Sequence, residues 1–269
     1  MQGKKKQKIE KVTKPYLRGR IVDRTLPGGA LKFFFFTALM TFVYFMSLIV
    51  ASVESRFLSV VINLAILGTT WLIFWQSGLA SGADAVNQGE IMYQRREKGR
   101  PVADWEEKMC YHPLKGLVIA LVGSLPLFIC SVVLACIAQR QMTPIGMVPG
   151  WVEALEGRQE IGGALAYYHQ EAKLTLEIVL RVIIHMSTMP YVSLLGADNK
   201  DMMLLLQRIS PILNLIPAIV YGAAYAMGPR ARAVVHTNIA LGKKKAKKKQ
   251  AKERRARQQS RSSGPQQLN

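Results

Sequence analysis

Residues 174–195, LTLEIVLRVIIHMSTMPYVSLL, decide how many times this chain crosses a membrane. The run is long enough to span, but it carries Glu177, Arg181 and His185. At i, i+4 and i+8 these three share one face of a helix. A charged side chain at the centre of a span costs roughly 2.5–3.5 kcal/mol, and each large apolar residue returns only about 0.3–0.6. About a dozen apolar residues therefore only balance the two charges. Such a helix is marginal alone in lipid. It suits the outer surface, or a place against neighbouring helices with its polar stripe facing water or protein.

Four further apolar stretches lie on either side, at 33–53, 57–75, 117–138 and 210–228. A hydrocarbon core of about 30 Å needs about 20 helical residues to cross it. Only helices or closed barrels satisfy every backbone polar group in lipid, and these runs lack the alternation of barrel strands. The expected fold is all-α: a polytopic helical membrane protein with four transmembrane helices plus one amphipathic or re-entrant outer helix.

The charge pattern supports the even number. The net charge of +19 resides in the two tails. Residues 1–24 hold nine Lys/Arg against Glu10 and Asp23, residues 229–269 hold thirteen against Glu253, and the body between is neutral. Lys and Arg near span ends stay in the cytoplasm, so both tails call for that side. The reading is a basic cytoplasmic tail (1–32), a transmembrane hairpin (33–83, with spans 33–53 and 57–75), and a cytoplasmic loop (84–116). A third span (117–138), an extracytoplasmic segment (139–209), a fourth span (210–228) and a polybasic, mostly disordered tail (229–269) follow. Trp71 and Trp75 are expected near the inner interface. The alternative keeps five crossings and requires moving one basic tail across the membrane.

Small residues recur every fourth position at Gly78 and Gly82, at Gly116, Ala120 and Ser124, and at Ala218, Gly222 and Ala226. Such faces let helix backbones approach closely in lipid, within this chain or with another copy or subunit. The C-terminal cluster Lys243, Lys244, Lys245, Lys247, Lys248, Lys249, Arg254 and Arg255 is placed to attract anionic headgroups, at about 1 kcal/mol per charge near the surface. No aromatic residue follows Met227, which removes base stacking and leaves nucleic acid or ribosome contact as a weaker, phosphate-driven option.

Enzymatic signatures are absent: there is no phosphate-binding glycine loop, nucleophile elbow or His-Glu-x-x-His pair. The glutamates Glu153, Glu156, Glu160 and Glu171 have no spacing that suggests a reaction. Cys110 and His112 lack the further ligands a zinc site needs. No catalytic residue, metal or cofactor is expected. The expectation is a non-enzymatic plasma-membrane scaffold or assembly subunit, with a bacterial inner membrane as the preferred setting. Its rival is a small transporter or channel component using the Glu177/Arg181/His185 face.

Overall fold

The computed structural model describes residues 12–46, 55–138, 155, 158, 176–195 and 200–262. The glutamates at 153, 156, 160 and 171 fall outside these. The described chain is helical: α1 Leu26–Met46, α2 Arg56–Glu97, α3 Asp104–Met109, α4 Lys115–Ile137, α5 Leu176–Leu195, α6 Lys200–Ala226 and α7 Gly228–Ser262. Among the described residues, five helices (α1, α2, α4, α5 and α6) are long and apolar enough to cross a membrane. Their outward side chains are apolar as well, including Phe35, Leu39 and Phe42 on α1 and Leu125, Ile129 and Val132 on α4. That surface matches hydrocarbon rather than water. The protein is an all-α helical membrane protein.

α2 is 42 residues long, or about 63 Å, twice the thickness of a hydrocarbon core. Its first two thirds are apolar and the remainder is polar, so it emerges from the bundle as a stalk. Ser55 caps its start, its side chain accepting from the Leu58 N–H. Its end is a Schellman turn. Gly99 takes φ +69°, its N–H donates to Arg96 O, and Arg100 N–H donates to Arg95 O. Pro101 follows and cannot continue the helix. Trp71 lines a small cavity together with Tyr44 and Asn214.

α2 and α6 run side by side in the same direction. Gly78 meets Tyr221 and Gly82 meets Tyr225. Past the turn at Met227 the pairing continues, with Gly228 on Gly82, Arg232 on Asn87 and Glu90, and His236 on Glu90. The partner is always 142–146 positions further along the chain. α7 therefore prolongs α6 and follows the stalk of α2 out of the bundle. The tail expected to be mostly disordered is helical to Ser262. Its Lys, Arg, Ala and Gln content favours helix, and its first two turns are anchored against α2.

α5 occupies one end of the bundle only. Leu180 and Ile184, in its first half, pack on Leu134 near the end of α4. Val192, near its other end, packs on Met203 and Leu206 at the start of α6. The end of α4 and the start of α6 belong to the same end of the bundle, because the start of α4 meets the end of α6 through Leu117 and Gly222. Between His185 and Val192 the α6 partners are Gln207 at His185, Asn214 at Ser187, and Leu206 and Met203 at Val192. Both ends of the described α5 therefore pack at the far end of the bundle.

Candidate functional site

The built polar structure collects at the opposite end, where residues 12–25, the stalk of α2, the 98–116 connection and α7 meet. The small-residue seam delivers these parts to one another. Gly78 and Gly82 take the backbone of α6 at Tyr221 and Tyr225, Gly116 takes the Tyr225 ring, and Gly222 takes Leu117. Ala120, Ser124 and Ala218 are buried between them. Ala226 departs from the expected stripe and is exposed. A helix turns 3.6 residues at a time, so by that point the contact has passed to Ala224, Tyr225 and Gly228. These faces are filled by the chain's own helices and offer no free surface to a second copy.

Two ion clusters lock the basic end. Lys115 Nζ lies 2.8 Å from Asp23 Oδ2, with side chains only 4% and 1% exposed, and also donates to Met109 O. Thr25 Oγ1 donates to the same carboxylate. This pair ties the N-terminal segment to the start of α4. That segment is held further by Leu17 N–H to Gly89 O and Gly19 N–H to Tyr111 O. The Tyr111 ring stacks on Tyr225, and its hydroxyl donates to Ala226 O. In the second cluster Glu90, 4% exposed, accepts from Arg232 Nε at 3.3 Å and pairs with His236 Nε2 at 2.7 Å, while Arg232 also reaches Asn87. At the next residue, Thr237 Oγ1 accepts from the Val12 N–H. Residues near the two chain ends therefore touch each other.

None of these clamp residues stood out in the sequence, yet Glu90 continues the spacing Gly78, Gly82, Val86. Extending the small-residue stripe by two more turns would have placed it on the α6/α7 face. The exposed charges of this end include Lys14, Arg18, Arg20 and Arg24 on the N-terminal segment and Lys243, Lys244, Lys245, Lys247, Lys248, Lys249, Arg254 and Arg255 on α7, with Asp84, Glu97, Asp104 and Glu253 among the exposed acids. Cys110 is fully buried here, and burial pushes its thiol pKa up, so it is an inert packing group. Among the described residues no three His, Cys, Asp or Glu side chains gather as a metal site.

The stripe of α5 turns inward. Arg181 is 1% exposed and is ion-paired with Glu177, while Val179, Val182 and Ile183 face out. The balance of costs in the sequence assumed lipid around the charges; here protein encloses Arg181, while the Glu177 side chain stays 30% exposed. His185 shares a 3.0 Å hydrogen bond with Gln207, and Ser187 donates to Asn214 Oδ1 at 3.1 Å. A cavity of about 20 Å³ lies beside Ser187, Tyr191, Asn214, Thr41 and Tyr44. It has room for about one water, which the unpartnered Asn214 amide N–H could bind.

Fold and site together define an all-α helical membrane protein whose clamped, cationic face is confined to one end. No protein-family model, no curated protein and no solved structure matches the chain.

Proposed function

We propose that the chain is a non-enzymatic scaffold of the plasma membrane, crossing four times, with both ends in the cytoplasm and a basic helix held there in a fixed direction. The observation that carries the reading is the contact between Val12 and Thr237. Two segments that touch lie on one side, so the number of crossings is even. α5, whose two described ends pack at the far end, is the helix we read as not crossing. Positive charge at the shared end supports the cytoplasmic assignment. Arg24, two residues before α1, lies level with the helix ends, where anionic headgroups are within reach. The inward face of Glu177, Arg181 and His185 holds α5 in place.

Scaffolding requires the basic helix to keep its direction. Spin labels at Gln94 on the stalk and Lys245 on α7 test this, in a chain whose native cysteines are replaced by Ser or Ala. Electron–electron distance measurement in nanodiscs should return one narrow distribution. A distribution as broad as that of an unfolded tail would overturn the scaffold reading.

A further inference from the structure

We infer that α7 beyond Gly242 is a nucleic-acid-binding rod that engages the phosphate backbone of a duplex clear of the membrane surface. The inference deepens the scaffold reading and rests on it for the cytoplasmic placement of α7.

Distance is the first argument. α7 leaves the bundle beside Gly82 and follows the stalk outward. Lys243 lies fifteen residues beyond Gly228, about 22 Å further out, and Arg255 lies about 40 Å out. A tilt of about 40°, at the limit seen for transmembrane helices, still leaves Lys243 about 17 Å from the bundle end. Attraction to anionic headgroups fades within a Debye length, about 8 Å at physiological ionic strength. Val234, Val235 and Ile239 are exposed on α7 and can still meet lipid, but the charges from Lys249 onward lie about 15 Å or more past Ile239, beyond that reach.

The second argument is how the charges are spread. The stalk of α2 ends at Glu97, opposite about residue 241 of α7 by their shared pairing, so the cationic part has no helix beside it. Residues 243–255 are exposed throughout. At 100° per residue, their nine Lys and Arg cover about 240° of the helix circumference, with Glu253 the single acid. A flat bilayer or one acidic protein face meets about half of a cylinder. The major groove of B-form DNA has phosphates on both walls and, at about 12 Å wide, admits a helix, whereas the A-form groove of RNA is deep and narrow. Lys ammonium groups suit such a partner as point charges, and the absence of aromatic residues excludes base stacking. Recognition would follow charge and shape rather than sequence.

The test uses the full chain in nanodiscs of zwitterionic lipid, with fluorescent 20-base-pair DNA and RNA duplexes as probes. Both should bind at 50 mM salt, and the tighter one identifies the source of the phosphate backbone. With about five phosphates neutralised, affinity should fall roughly 10²- to 10³-fold by 200 mM salt. Replacing Lys243, Lys244, Lys245, Lys247, Lys248 and Lys249 by Gln keeps helix propensity and should weaken binding at least tenfold. Three results would overturn the inference. One is no duplex binding at 50 mM salt. Another is that nanodiscs with anionic lipid protect the cluster from trypsin while duplex does not. The third is that polyglutamate displaces duplex at equal charge concentration. A narrow spin-label distance without duplex binding removes the nucleic acid and leaves the scaffold standing; a broad distance removes the rod itself.

Discussion

Gly82→Leu is expected to part α2 from α6 and α7 and to be among the most damaging single changes in the chain. A Cβ at Gly82 would collide with the carbonyl oxygen of Tyr225 and lie 3.1 Å from its Cα. Gly228 presses on the same glycine from the next helix, where a Cβ of its own would come within 2.5 Å of the Gly82 carbonyl carbon. These are backbone atoms, so no side chain can rotate away. Two long helices must move apart over their whole shared length. Overpacking typically costs about 1–3 kcal/mol, and backbone collisions belong at the upper end or beyond. The thermal midpoint in detergent should fall sharply, and the Glu90–His236 pair about two turns further out should loosen with it. Gly68→Ala serves as the control in the same helix. Nothing lies within 4 Å of a Cβ at Gly68, so that change should be neutral or should stabilise by up to about 1 kcal/mol through helix propensity.

The second large effect concerns Asp23. Asp23→Ala strands the Lys115 ammonium, whose side chain is 4% exposed, with only Met109 O as a remaining partner. Removing one member of a buried ion pair costs about 3–5 kcal/mol, because the other charge stays buried. The N-terminal segment should detach, and trypsin should then cut at Arg18, Arg20 and Arg24 far faster than in the parent chain. Asp23→Leu combined with Lys115→Met removes both charges and should recover most of the stability. A double mutant as unstable as Asp23→Ala would mean that the carboxylate acts through Thr25 and the local turn instead of through Lys115.

Both changes act on residues of unequal visibility in the sequence. Gly82 was legible, because small residues at every fourth position have a physical reason to meet another helix in lipid. Asp23 was counted only as a tail charge, since its partner lies 92 positions away. Apolar length revealed α4, α5 and α6, and charge placed both tails together. The odd character of α5 was also legible, but not the direction of its polar face. That direction depends on Gln207 and Asn214, which no pattern within α5 encodes. The stalk of α2 was hidden because hydropathy ends near residue 83 while helix propensity and packing against α7 continue. The helical tail was hidden for a related reason: Lys- and Arg-rich sequence reads equally as a solvated coil until its first two turns are anchored by Arg232 and His236.

The central claim is that the two chain ends share one side while α5 keeps both flanks on the other. Single cysteines at Arg158, Ala197 and Glu253 in a cysteine-free chain test it directly. In sealed right-side-out vesicles, a membrane-impermeant maleimide should label Arg158→Cys and Ala197→Cys at once. Glu253→Cys should react only after lysis. Labelling of Arg158→Cys and Ala197→Cys from opposite sides would mean that α5 crosses, and would contradict the account.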